Sequence, residues 1–234
     1  MTATPSLQPS ADDKVRVWDL PTRLFHWTLA AAIIVALLSG EEDSALAGWH
    51  HPAGWLVVAL LAFRIVWGLI GGEHARFVNF IKPSHIGTHI KGLTSRSGAH
   101  HLGHNPLGGI AVLGLLGLSA LTVGTGIQLL SGGAEDWHEV FAYALLALVV
   151  VHVIAVIAMS VLSRESLIGA MITGRKSRAR HPGAVDARRA GPLALATALG
   201  VIALTGFVAS RVDPAAFEPS TRAEAGGHEE EEDD

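Results

Sequence analysis

Thirteen histidines and no cysteine occur in this chain of 234 residues. The missing cysteine excludes disulfides, iron–sulfur clusters, thiolate zinc sites and haem attached covalently through C-x-x-C-H. Imidazole is therefore the ligand with which this chain could hold a transition metal. Five histidines, His26, His50, His51, His138 and His152, lie within or at the edge of long apolar runs. Seven more, His74, His85, His89, His100, His101, His104 and His181, fall between runs, and His228 is near the C-terminus. A polar side chain at membrane depth is costly and usually functional. The five need a physical reason.

Spacing supplies one. His138 and His152 are 14 residues apart on one predicted helix. That is nearly four turns, roughly 21 Å of rise, with an angular offset of only about 40°. Both face the same side, too far apart to share one ion and well placed to serve two. Each then needs a partner from another helix. His26 lies near the start of its run and matches the depth of His152 approximately. His50 or His51 begins the next run and matches His138; spacing does not choose between them. Two His–His pairs, one toward each membrane face, suit two six-coordinate haems, since neutral imidazole is an axial ligand of haem iron. Without cysteine these haems are of b type. Zinc or copper would want cysteine or carboxylate as well, and the runs hold almost no carboxylate. A proton relay would need a continuous polar chain. An interfacial-anchor role fits any one of these histidines but not five at matched depths.

The elements that must position them are membrane helices. Half of the residues are hydrophobic, only 16% are charged and mean hydropathy is +0.40, whereas soluble domains carry about a quarter charged residues. This excludes a disordered chain and argues against an ordinary cytosolic enzyme. With a net charge of -4 and no dominant basic face, it also excludes a nucleic-acid binder. Five runs approach the roughly 20 residues that span a ~30 Å hydrocarbon core: about 24–40, 49–70, 106–130, 137–162 and 191–210. They lack the period-2 alternation of strands. The first run starts too late and lacks the cleavage site of a signal peptide. Fourteen of the 17 basic residues fall in segments 1–23, 71–105 and 163–190, and none in 41–48 or 131–136. The positive-inside rule then predicts a cytoplasmic N-terminus and a periplasmic C-terminus in a bacterial inner membrane. The division follows: a flexible segment 1–14, a four-helix unit 15–176, a basic cytoplasmic linker 177–190, a fifth span 191–210 and an acidic exported tail 211–234. The tail's charge density predicts disorder. It is read as a solvated tail or as a lure for a basic partner.

Several stretches carry a family resemblance. They are Val15-Arg-Val-Trp-Asp-Leu-Pro-Thr-Arg-Leu-Phe-His26-Trp27, His50-His-Pro-Ala-Gly54-Trp, Arg64-Ile-Val-Trp67-Gly68, Ala75-Arg-Phe77, Gly103-His-Asn-Pro-Leu-Gly108, His138-Glu, His152 and Ala170-Met-Ile-Thr-Gly-Arg175. In order and spacing the chain resembles the prokaryotic cytochrome b561 family, di-haem membrane cytochromes related to the cytochrome b subunit of nickel–iron hydrogenases. The resemblance covers roughly residues 15–176. It implies an all-α membrane protein with a four-helix haem-binding bundle, to which this chain adds a fifth transmembrane helix. It further implies that His26, His50, His138 and His152 ligate two haem b groups, with His50 preferred over His51 through the pattern His-x-x-x-Gly that Gly54 completes.

Supporting residues follow. Arg64 is read either as a partner of a haem propionate or as a cation that snorkels to the interface. His104 and Asn105 either cap the third helix or line a haem or quinone pocket. Trp27, Trp49, Trp55, Trp67 and Trp137 are read as interfacial anchors, and Gly114, Gly117, Gly124 and Gly126 as points of close helix packing. The functional expectation is transmembrane electron transfer between a periplasmic partner, a cytochrome c or an oxidoreductase or hydrogenase subunit, and quinone or another acceptor. Membrane lipid surrounds the bundle, and a homo-oligomer is compatible with it. Two readings compete: a self-contained quinone oxidoreductase, and a histidine-rich metal or proton transporter.

Overall fold

The structure, a computed structural model, describes residues 13–41, 43–80, 102–103, 106–133 and 135–220. The readings of residues 1–12 of the flexible start, of His104 and Asn105, and of His228 with the acidic residues beyond Ser220 concern positions outside the described residues; the last two residues of that start are instead held, Asp13 by Arg178 and Lys14 in a strand. Five helices are long and apolar enough to cross a membrane: Leu20–Leu38, His50–Ile70, Pro106–Leu129, Glu135–Ser163 and Pro192–Val212. They are the first to fifth spans here. The chain is thus an all-α, multi-pass membrane protein. Among the described residues the only strands are β1 (Lys14–Arg16) and β2 (Arg175–Ser177), which pair antiparallel with Val15 opposite Lys176.

Local chemistry sets the helix ends. Asp19 caps the first span, its carboxylate accepting from Thr22 N–H at 2.8 Å, and Pro21 in the first turn forfeits no helical hydrogen bond. Pro192 opens the fifth span in the same way. A short helix, Leu167–Thr173, ends at Gly174 with φ 77°, a left-handed conformation that glycine adopts without steric cost. The Gly174 carbonyl then accepts from the N–H groups of Val17 and Trp18 at 2.8 and 3.1 Å. That glycine fastens the start of the chain to the segment beyond the fourth span.

The second span is the centre of the bundle. It packs against the first, third and fifth spans, while the third packs chiefly on the fourth. Its apolar positions join Phe25 and Ala198 in one core, and Ala32 in another. An all-round apolar helix can face either protein or lipid, and over half of this one is buried in protein. The outer spans instead present Leu24, Ile154, Val161 and Leu204 outward, as helices solvated by lipid do. The first and fourth spans scarcely touch.

One end of the bundle carries residues 13–19, 71–80 and 164–190 and is basic; the other carries 39–49, 130–133 and 213–220 and is acidic. At the basic end the segment 177–190 is packed as well as connecting. Arg16 and Arg178 bridge Asp186 at 3.1 and 3.7 Å, and Arg178 also reaches Asp13 at 2.9 Å. Beneath them Lys176 and His181 share the Glu165 carboxylate at 3.4 and 3.3 Å. At the acidic end, Ser220 N–H donates to the Gly48 carbonyl at 3.2 Å.

Two of the five tryptophans read as interfacial anchors are buried instead. Trp67 donates its indole N–H to Thr22 Oγ1 at 3.2 Å and stacks on Phe63; Trp55 donates to Asp213 Oδ2 at 2.9 Å. Both belong to the second span, whose central position decides their fate. Trp27, Trp49 and Trp137 are exposed, as anchors should be. The four glycines divide likewise. A Cβ on Gly114 or Gly126 would crowd a side chain of the fourth span, whereas one on Gly117 or Gly124 meets nothing within 4 Å.

The ion pairs of the basic end are pH-sensitive. The Arg16 main-chain N–H, followed by the Arg16 and Arg178 guanidinium groups, holds the Asp186 carboxyl below its ordinary range. A depressed folded value means stability that is present above the unfolded value of about 3.9 and lost as pH falls through the folded one. The pairs are exposed, so the contribution is modest, about 0.2–1 kcal/mol. Asp186→Asn should lower the unfolding temperature in detergent at pH 7, by an amount that shrinks as pH falls below the ordinary carboxylate range. An effect that does not shrink would contradict the assignment.

Candidate functional site

His50 is the first residue of the second span and His138 the fourth residue of the fourth span, both at the acidic end. Their ring centroids are 6.0 Å apart and their planes cross at 79°. Each ring is oriented by a carbonyl of the helix before it. His50 Nδ1 lies 3.0 Å from the Ala36 carbonyl and His138 Nδ1 lies 2.9 Å from the Thr122 carbonyl. A carbonyl only accepts, so Nδ1 carries a proton in both rings, and in the neutral imidazole Nε2 is then the nitrogen with the free lone pair. Ala36 is in the last turn of its helix, where carbonyls lack a helical partner.

The surroundings make room for a ligand larger than an ion. A Cβ on Gly126 would come within 3.0 Å of His138 Cε1, so glycine there lets the ring lie against the third span. Gly54 follows His50 by one turn on the same face, and a Cβ there meets nothing within 4 Å. An ion held by two imidazole nitrogens at about 2 Å each separates the ring centroids by roughly 6 Å, the spacing observed. The donor set and the cleared face both fit a haem, which His50 and His138 would hold through their Nε2 atoms. His51 turns the other way. Its side chain is 62% exposed and faces Asp213 at 3.8 Å.

The second pair sits deeper toward the basic end. His26 lies on the first span, edge-on to Trp27 with centroids 5.0 Å apart. Its Nδ1 is buried and has no hydrogen-bond partner among the described residues. His152 lies within electrostatic reach on the fourth span, across the seam where first and fourth spans scarcely pack. The depth mismatch expected from sequence has a structural reason. The fourth span has 29 residues, about 43 Å of helix against a ~30 Å core. A helix of that length exceeds the core, so the count of residues from its end does not by itself give the depth of His152.

Arg64 does not snorkel. It is 4% exposed, donates from Nη1 to the Ala75 carbonyl at 3.0 Å, and places its guanidinium carbon 4.7 Å from the Phe77 ring centroid and 6.0 Å from that of Phe25. Gly68 allows Phe77 to approach, since any Cβ there would strike that ring. Among the described residues no carboxylate lies within ion-pair distance of Arg64. His74 also belongs to this end, edge-on to Trp18 at 6.2 Å. Burial pushes its pKa below the ordinary histidine value, with Lys176 adding to the effect and Glu73 and Asp19 opposing it. It is neutral at pH 7. Sequence spacing missed Ser39 and Thr125, which both contact the acidic-end rings; no periodicity says which hydroxyl a neighbouring helix will present. Among the described residues no three His, Asp or Glu side chains gather to hold a metal ion.

The buried guanidinium yields a direct test. Arg64→Lys keeps the charge but not the planar face over Phe77, a loss of roughly 1 kcal/mol. A fall of about 2–4 °C in unfolding temperature is expected; an unchanged temperature would mean that the ring contact contributes nothing.

A model of the prokaryotic cytochrome b561 family matches residues 17–174. Three relatives illustrate the similarity. The probable Ni/Fe-hydrogenase B-type cytochrome subunit of Bradyrhizobium diazoefficiens is 26% identical over 69% of this chain and 85% of its own length. That of Azotobacter vinelandii is 27% identical over 68% and 87%. The probable Ni/Fe-hydrogenase 1 B-type cytochrome subunit of Escherichia coli strain K12 is 23% identical over 73% and 95%. No solved structure matches the chain.

Proposed function

The chain belongs to the prokaryotic cytochrome b561 family, and on that premise we propose that it carries electrons across the bacterial inner membrane through two b-type haems. The observation that carries this reading is the His50–His138 pair, one ion-width apart with both Nδ1 protons spent on carbonyls. Bound haem would supply one-electron iron chemistry, and the protein supplies ligation, orientation and a low-dielectric surround. His50 and His138 would hold one haem near the acidic end; His26 and His152 would hold the other toward the basic end. Arg64, buried and without a carboxylate partner among the described residues, would hold a propionate of the second by charge-assisted hydrogen bonds. Two imidazoles per iron leave no open position, so small-molecule chemistry at iron is disfavoured.

Orientation follows from charge. The basic end is cytoplasmic and the acidic end exported. The relatives' names support a hydrogenase subunit as the exported electron donor. A basic cytochrome c would suit the same acidic face by electrostatic steering. Electrons would then leave toward quinone or another acceptor. Residues 15–176 form the cytochrome unit, and the fifth span and tail are this chain's addition to it.

Haem content tests the ligand set. Pyridine haemochrome on the purified full chain should give two haems, and His50→Ala, His138→Ala, His26→Ala and His152→Ala should each give one. The first two should lose the same haem by spectrum and the last two the other. Any of these variants that keeps both haems would overturn the corresponding assignment.

A further inference from the structure

The two acidic-end rings are held by the same device, built twice. In the first span the Ala36 carbonyl accepts from His50 Nδ1–H at 3.0 Å, and the Ser39 hydroxyl, three residues on, lies 3.4 Å from the same nitrogen. In the third span the Thr122 carbonyl accepts from His138 Nδ1–H at 2.9 Å, and the Thr125 hydroxyl, again three residues on, lies 3.4 Å away. In each case the hydroxyl proton is engaged elsewhere. Ser39 Oγ donates to the Ala36 carbonyl at 3.2 Å, and Thr125 Oγ1 to the Leu121 and Thr122 carbonyls at 2.9 Å. With its proton committed to the helix, each hydroxyl oxygen turns a lone pair to the imidazole and acts as a second acceptor.

An imidazole whose Nδ1 proton is drawn toward acceptors is a more basic ligand through Nε2. More basic axial nitrogens favour the ferric over the ferrous state and lower the potential. His26 lacks this support, since its Nδ1 meets no hydrogen-bond partner among the described residues. We propose that Ser39 and Thr125 are positioning residues for the haem between His50 and His138, and that their paired clasp makes it the lower-potential of the two haems. Electrons entering at the acidic end then pass downhill toward the basic end. This rests on the ligand set proposed above.

The test is a spectroelectrochemical titration of the purified full chain, with haem content measured alongside. Wild type should titrate in two steps, and His138→Ala should lose the lower one; loss of the higher step instead would overturn the order. Thr125→Val, which keeps the volume and removes the hydroxyl, should raise only the lower step and leave two haems bound. A tenfold loss of preference for the ferric state corresponds to about 59 mV. Ser39→Ala should act in the same direction, while Thr125→Ser should restore the wild-type value. Two haems with both steps unmoved in Thr125→Val and Ser39→Ala would overturn the proposal, as would an equal shift in Thr125→Val and Thr125→Ser. If Thr125→Val loses the haem, Thr125→Ser decides: retention at the wild-type potential supports the hydroxyl's role, and loss overturns it. Failure of the ligand reading looks different, because His138→Ala would then keep both haems.

Discussion

A neutral imidazole in hydrocarbon has one N–H to satisfy and one lone pair to use. The rest of this bundle depends on how the first is satisfied. His50 and His138 each give the proton to a main-chain carbonyl of the preceding span, so the lone pair is aimed by backbone geometry instead of by a flexible side chain. That requires two close helix contacts. Gly126 permits one by offering no side chain against His138. The end of the first span permits the other, because carbonyls of a last helical turn are free to accept.

The opposite end is held by different means. There the first and second spans meet through Phe25, Phe63 and Trp67, stacked in sequence with centroids 5.9 and 5.6 Å apart. Arg64 lies beside that stack on Phe77. At the margin Asp19 both caps a helix and faces the Trp67 indole. The β1–β2 ribbon and the Asp186 ion pairs then close the face. A fifth span seated on the second completes the burial of the second span. The first and fourth spans, which carry His26 and His152, scarcely pack on one another in the same arrangement.

Much of this is legible in the sequence, because the bilayer reduces the question to length, charge and phase. Five apolar runs give five helices, and the ends shift by a few residues where caps such as Asp19 decide the boundary. The 14-residue interval between His138 and His152 does fix a common face. What the sequence conceals depends on which helices become neighbours. Trp55 and Trp67 look like anchors until the second span proves to be central. Arg64 looks free to snorkel until Phe77 folds over it. Ser39 and Thr125 are ordinary helical hydroxyls until an antiparallel neighbour brings an imidazole to them.

The two clasps are local in the chain. His50 reaches back 14 residues to Ala36, and His138 reaches back 16 to Thr122. Each closes within a single helical hairpin, first with second and third with fourth. Contacts of such short range form early, before the slower docking of hairpins on one another. Each hairpin therefore carries within itself the acceptor for its own imidazole proton. In the proposed ligand set, a haem held by His50 and His138 would join two hairpins, each of which already orients its own imidazole.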